Sequence, residues 1–244
     1  MKIGYALFSG GFDSSLALFI YLHDNPKIVL KPVFFLYGQK PADKELQAMK
    51  RMTEDLKEYA KQYGSTVEDC RIVDIGSDNK HVFSWSQASL LVGTANDNEK
   101  VGLENRNMVL IACLLSLVST EIDIQVARNK IDVITGFTNN YYDTKLTFLD
   151  ALNCFFKSIG FFVELKAPLI EPKQKGQTSN KKLANLVRNY DLTAKLRRSW
   201  SCYFPKADGS ECGECAPCRK RNEIFQEVGM KELKNKPKHL SARS

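Results

Sequence analysis

Strand-like apolar runs alternate with helical segments along nearly all of this chain, and that order leaves few ways to build a core. KIGYALF (2–8), IVLKPVFFLY (28–37), CRIVDI (70–75), IDVITGF (131–137) and FFVELKAPL (161–169) read as buried strands. Between them lie an apolar helix over 14–22 and a helix from Pro41 to about Tyr63, with Leu46, Met49, Leu56, Ala60 and Tyr63 at helical spacing. Further helices are expected over 105–119, 144–158 and roughly 180–190; the first, NRNMVLIACLLSLVS, is apolar on nearly all sides and is expected to be enclosed. Strands joined by helical crossovers pair in parallel and are covered from above and below. The expected fold is therefore α/β, a parallel sheet with helices on both faces. Pro32 has no N–H to give a ladder and predicts an irregular start or an edge position for the second strand. Residues 76–104 have weak periodicity and read as a long loop with some helix, a lid or an insertion.

In such sheets ligands bind beyond the carboxyl ends of the strands. The first strand ends there in Ser9-Gly10-Gly11-Phe12-Asp13-Ser14-Ser15. Two glycines let the backbone approach a ligand closely, successive N–H groups can face one concavity, and the following helix adds its positive end. Hydroxyls of Ser9, Ser14 and Ser15 supply further hydrogen bonds. The sum suits a multiply charged oxyanion. No Gly-Lys-Ser/Thr follows, so this is not a Walker loop, and the spacing is not G-x-G-x-x-G. The plainer reading is a glycine turn in which Asp13 or Ser14 only caps a helix.

Four of the seven cysteines fall between Cys202 and Cys218. Cys212, Cys215 and Cys218 form C-x-x-C-x-x-C, ten positions after Cys202. Four thiolates at this spacing can close a tetrahedral zinc site with no open position, which makes the metal structural. A redox pair and an iron–sulfur cluster are the competing readings. Cys70, Cys113 and Cys154 sit in apolar segments and read as core residues.

SGGFDSS resembles the S-G-G-x-D-S signature of the PP-loop ATP pyrophosphatases, which cleave ATP between its α- and β-phosphates. Taken with SWSCY and the cysteine run, the chain resembles the 7-cyano-7-deazaguanine synthase (QueC-like) family over most of its length. LYGQ (36–39), ENRNMVL, VITGF and APLIEP resemble further segments of that family. The resemblance implies the adenine-nucleotide α-hydrolase, Rossmann-like version of the fold with a small zinc-binding C-terminal part. It also implies ATP with Mg²⁺ and structural Zn²⁺ as cofactors. Ser9, Gly10, Gly11, Asp13, Ser14, Ser15, Tyr37, Gly38, Gln39, Arg106 and Asn107 would hold the nucleotide. Asp13, Ser14 and Arg106 would take part in catalysis, Asp13 by organising Mg²⁺. Asn140, Tyr142, Asp143, Lys166 and Lys181 are the substrate-side candidates, and Cys202, Cys212, Cys215 and Cys218 the metal ligands. The implied reaction joins 7-carboxy-7-deazaguanine and ammonia through an adenylate and ends in a nitrile.

The chain departs from that family after the fourth strand. GFTNNYYDTKLTFLDAL lacks its Ser-Gly-Tyr-Pro core and its Cys-Arg pair, Lys40 and Pro41 replace its His, and the polar stretch 171–180 looks added. A diverged acceptor, giving only an amide or using another amine, therefore stays open. So do a PP-loop enzyme of tRNA modification and a non-catalytic nucleic-acid-binding protein.

Composition narrows these classes. The 244 residues carry 43% hydrophobic and 26% charged residues, and no apolar run reaches the roughly 18 residues of a membrane span. No signal peptide is read, so a cytoplasmic location is expected. The net charge of +7 suits an anionic ligand, but much of it lies in the tail KELKNKPKHLSARS and no RNA-binding domain is apparent. Direct nucleic-acid binding is not expected, and a homodimer stays open. The expected divisions are 1–198 for the nucleotide-binding domain, 199–228 for the cysteine segment and 229–244 for a basic tail.

Overall fold

The computed structural model describes residues 2–39, 41–75, 106–122, 130–170 and 179–229. Its centre is a parallel sheet built from β1 (Lys2–Leu7), β2 (Ile28–Leu36), β3 (Thr66–Val67), β4 (Arg71–Asp74), β5 (Ile131–Ile134) and β6 (Val163–Lys166). The strand order is β3-β2-β1-β5-β6, with β4 also paired to β2. All pairings are parallel, as the intervening helices require. From β1 the chain winds outward to β2, β3 and β4, then returns to the opposite side of β1 as β5. The crevice between the ends of β1 and β5 is thus the switch point, where two strand-end loops diverge and leave room for a ligand.

Alternation along each strand sends successive side chains to opposite faces. Ala6, Leu30, Phe34 and Ile134 join a core with α1 (Phe12–Asp24) and α2 (Ala42–Lys61). The same core takes in α5 (Asn180–Asn189), the short α6 (Thr193–Leu196) and α7 (Ala216–Glu227). Tyr5, Val33, Phe35, Val133 and Leu165 face the other way, against α3 (Arg106–Glu121) and α4 (Leu146–Ser158). Each fully buried Leu, Ile or Phe contributes about 1.5–3 kcal/mol, so both faces must be covered for the sheet to be stable. Helix α1 is buried from Ser14 to Leu22, as its unbroken apolar run predicts.

Several expectations need correction. Pro32 is neither at an irregular start nor on an edge: it pairs with Ala6 inside β2. β3 bonds Val29 and Leu30 while β4 bonds Val33 to Leu36, so the donor that Pro32 lacks falls at the break between them. Helix α3 is not enclosed on all sides. It buries Ile111, Leu114, Leu115 and Val118, whereas Met108 is 49% exposed. The strands expected over 131–137 and 161–169 are shorter, because Thr135 and Ala167 already begin loops. Strand β3 and helices α6 and α7 are additions to the expected elements. The segments 76–104 and 171–178 and all but Gly229 of the basic tail lie outside the described residues.

Helix α7, which follows the cysteines, packs into the sheet domain. Ile224 is fully buried in the α1 core, and Phe225 meets Phe12 edge-on at 5.8 Å. Among the described residues no helix is long and apolar enough to cross a membrane.

Candidate active site

A cavity of about 360 Å³ opens at the switch point. Its floor is the turn after β1. The Ser9 Oγ and Ser14 Oγ lie 3.0 Å apart, Gly11 N–H donates to Ser9 Oγ at 3.2 Å, and Ser14 Oγ donates to the Gly11 carbonyl at 3.2 Å. With the Ser14 proton committed to Gly11, Ser9 is the donor between the hydroxyls. The loop is therefore braced by its own side chains before any ligand arrives. Gly11 caps α1 without a side chain, so no side-chain cap competes for the first-turn amides.

Two close approaches explain the glycines around this turn. Gly10 has φ +69° and lies against α2, where an added Cβ would stand 2.3 Å from the Met49 nitrogen. Gly136, just past β5, lies against α1, where a Cβ would stand 2.8 Å from Ser14 Cα and N. Gly136 belongs to a loop that sequence reading assigned to a strand. Its absent side chain brings the two strand-end loops together.

Of the residues expected to hold a nucleotide, Ser9, Gly11, Asp13, Ser14, Tyr37, Gly38, Gln39, Arg106 and Asn107 line the cavity. Gly10 and Ser15 do not. Gly10 shapes the turn, and Ser15 is fully buried with its hydroxyl unpartnered. The Gln39 side chain folds back on the end of β2: it accepts from Tyr37 N–H at 2.9 Å and donates to the Phe35 carbonyl at 3.0 Å and to Glu45 at 3.2 Å.

Arg106, at the first turn of α3, donates to the Tyr37 hydroxyl and faces Glu45 and Tyr203. Burial opposes its charge, but Tyr37, Tyr203 and Glu45 outweigh burial and hold it firmly protonated. Burial raises Tyr37 to about 12 and lifts Glu45 above the usual carboxylate range, with Gln39 and Arg106 pulling Glu45 back. The arrangement keeps a fixed cation and a buried carboxylate on one wall of an aromatic-lined cavity.

The substrate-side candidates are placed differently from expectation. Asn140, Tyr142, Asp143, Lys166 and Lys181 are not cavity-lining residues. Asp143 is buried and accepts from Asn107 Nδ2 at 2.9 Å, so it anchors the start of α3. Lys166 pairs with Glu164 on its own strand at 2.8 Å, and Lys181 is exposed on α5. Asn140 keeps a buried, unpartnered Oδ1. Tyr141 and Thr144 of the same loop do line the cavity, and Tyr141 is 68% exposed at its mouth. The cavity-lining aromatic is thus Tyr141, the neighbour of the expected Tyr142.

The opposite wall comes from the segment that carries the cysteines. Trp200, Ser201, Tyr203 and Lys220 all line the cavity, and Trp200 N–H donates to the Gly10 carbonyl at 3.1 Å. The sulfurs of Cys202, Cys212, Cys215 and Cys218 lie within 4.8 Å of one another, and the amides of Cys212 and Cys215 point at Cys202 Sγ and Cys212 Sγ at 3.2 and 3.3 Å. A tetrahedral zinc–thiolate site has sulfurs about 3.8 Å apart, so modest adjustment lets this cluster bind zinc. Arg221 reinforces it from α7: one guanidinium nitrogen donates to the Ser199 carbonyl at 2.7 Å, and another pairs with Glu211. The cysteine spacing marks the cluster but not this wall, because what joins the wall to the first turn is contact across the whole chain.

The sequence model of one family, described as Queuosine biosynthesis protein QueC, matches residues 5–229. Among its relatives, 7-cyano-7-deazaguanine synthase 1 of Desulfitobacterium hafniense (strain Y51) is 29% identical, covering 90% of this chain and 90% of its own. The 7-cyano-7-deazaguanine synthase of Chlorobium phaeovibrioides (strain DSM 265 / 1930) is 26% identical over 93% of this chain and 92% of its own. Among solved structures, a 4-thiouridine synthetase–RNA complex with bound ATP has a TM-score of 0.44 at 16% identity, covering 93% of this chain and 50% of that one.

Proposed function

Because this chain belongs to the QueC family, we propose that it is an enzyme converting 7-carboxy-7-deazaguanine and ammonia into 7-cyano-7-deazaguanine at the expense of ATP. The observation that carries the reading is the braced Ser9–Ser14 turn, opening into a cavity walled by aromatic rings and the Arg106 cation. An anion cradle beside an aromatic slot suits a polyphosphate joined to, and facing, flat heterocycles.

A carboxylate is a poor electrophile, so activation must come first. A substrate carboxylate oxygen attacks the α-phosphorus of ATP, and pyrophosphate departs into the loop's amides and hydroxyls. Ammonia then adds to the acyl carbon, and AMP leaves with the carboxyl oxygen to give the amide. In a second round the amide oxygen takes up an adenylyl group. Loss of AMP and of the nitrogen's protons leaves the carbon–nitrogen triple bond. The α1 amides, Ser9 and Ser14 hold the phosphates in line, and Arg106, kept charged by Tyr37, Tyr203 and Glu45, offsets charge that develops during transfer.

A bound divalent cation neutralises phosphate charge. Asp13, the cavity carboxylate carried by the loop itself, would hold it. Zinc in the four-cysteine cluster has a structural role, since all four positions are protein thiolates. The enzyme works in the cytoplasm on small molecules, without direct contact to nucleic acid.

A second reading, formation of the amide alone or coupling to another amine, is favoured by the 137–148 loop. There Asp143 is spent on Asn107, and only Tyr141 and Thr144 stand beside Phe137 and Thr138 along the cavity. One incubation with ATP, Mg²⁺, ammonium and 7-carboxy-7-deazaguanine, read by mass spectrometry, separates the two. AMP with nitrile is the expected result, and AMP with amide alone establishes the second reading. Neither product from folded, zinc-loaded protein rejects the family substrate.

A further inference from the structure

Lys220 reaches from α7 to the phosphate loop and grips both carboxylate oxygens of Asp13, at 2.9 and 2.7 Å over a sequence separation of 207 residues. We propose that Lys220 is an internal counter-cation of that loop: it neutralises Asp13 in the empty site and is given over to the polyphosphate when a nucleoside triphosphate arrives with its own divalent cation. The inference rests on the reading of the site as triphosphate-binding.

The geometry separates the two neighbouring cations of α7. Arg221 is buried and committed to Ser199 and Glu211, so it fastens the helix. Ile224 and the Phe225–Phe12 contact hold the same helix against the start of α1, one residue from Asp13. Lys220 thus projects from a fixed base on a flexible stem, and its ammonium is a compact charge that can trade one oxygen partner for another. The Lys220 and Asp13 side chains are 22% and 36% exposed. Both groups still reach solvent, which screens the pair and lets the ammonium change partners at low cost.

Both oxygens of Asp13 are taken by Lys220, so a divalent cation must compete with the lysine for them. Metal binding to the empty site is thereby disfavoured. A triphosphate relieves the competition by giving the ammonium a more highly charged partner. AMP, with a single phosphate, does so poorly. Lys220 is then a residue that discriminates the cosubstrate from the product nucleotide.

The test is direct binding to the full-length, zinc-loaded protein. Manganese alone is followed by electron paramagnetic resonance, and α,β-methylene-ATP and AMP by calorimetry. Wild type, Lys220→Gln, Lys220→Met and Lys220→Arg are compared, with zinc content and circular dichroism as folding controls. Both neutral variants are expected to bind manganese alone at least about fivefold more tightly. They should bind the triphosphate analogue about tenfold more weakly, which is ~1.4 kcal/mol. AMP affinity should stay within about twofold, and Lys220→Arg should keep the wild-type pattern. Unchanged affinities in both neutral variants, or equal losses for AMP and the analogue, overturn the proposal. Wild-type protein that binds no analogue at all overturns the triphosphate reading itself, and that outcome appears before any variant is made.

Discussion

The backbone N–H of Trp200 donates to the Gly10 carbonyl at 3.1 Å, so the segment leading into the cysteines is stitched to the first βα turn. On its other side Gly10 touches α2, where an added Cβ would lie 2.3 Å from the Met49 nitrogen, with φ at +69°. Both obstacles are backbone, and neither can rotate away. Gly10→Ala should therefore cost about 3 kcal/mol or more, from positive-φ strain together with overpacking. Urea unfolding of the variant should show a lower midpoint with an unchanged slope.

The cysteine cluster holds up one wall of the cavity, since Trp200, Tyr203 and Lys220 flank Cys202 and Cys218. Replacing Cys215 by serine, or stripping the metal with a chelator, should release that wall along with the start of α7. Binding energy at a structural zinc site is folding energy, so a loss of about 4 kcal/mol and a fall in Tm of roughly 10 °C are expected. Limited proteolysis should then cut within 200–229, and nucleotide affinity should fall with the zinc content.

Tyr141 stands at the cavity mouth with its backbone held twice by Thr144, whose Oγ1 accepts from the Tyr141 N–H and donates to its carbonyl, each at 3.0 Å. A ring presented this way suits stacking on a flat heterocycle, worth about 1–3 kcal/mol. Tyr141→Ala should raise the KM for the deazaguanine acid about tenfold with little change in kcat. Tyr142→Ala should shift it less than about twofold. Steady-state kinetics on the two variants checks the register directly.

What could be read in advance was local. The strand-turn-helix of residues 2–24 carries its own periodicity, glycines and hydroxyls, and the cysteine spacing carries its own chemistry. The contacts that complete the site are not local. The Lys220–Asp13 pair and the Trp200–Gly10 bond join opposite ends of the chain and leave no periodic trace. Lys166 and Lys181, both substrate-side candidates, show the same limit: one is spent on Glu164 and the other faces solvent. Helix α7 had a usable signal in Pro217 within its first turn and in Cys218, Arg221 and Ile224 at helical spacing. Tyr141 and Tyr142 meet at the start of a three-residue 3-10 turn, Tyr142–Thr144, too short for any period to decide which one faces inward. The gap at Pro32 depends on where two separate partner strands stop, which β2 alone cannot reveal.

Glu121 ends the helix that begins with Arg106, and it ties that helix to the sheet. Its carboxylate accepts from the Tyr5 hydroxyl at 2.7 Å and pairs with Lys31 at 2.8 Å and Arg71 at 2.6 Å. The Lys31 and Tyr5 hydrogen bonds hold its pKa below the ordinary carboxylate value. Its folded state therefore binds a proton less readily than the unfolded chain. The resulting stability is present above the unfolded value near 4.5 and is lost as pH falls through the depressed folded value. Glu121→Gln should lower stability at pH 7 by about 1 kcal/mol, since the partners are partly exposed. The wild-type and variant curves should converge on acidification below pH ~4.5. Urea titrations at a series of pH values read both effects, and a gap that stays constant down to pH ~2 would show that Glu121 acts by packing rather than by charge.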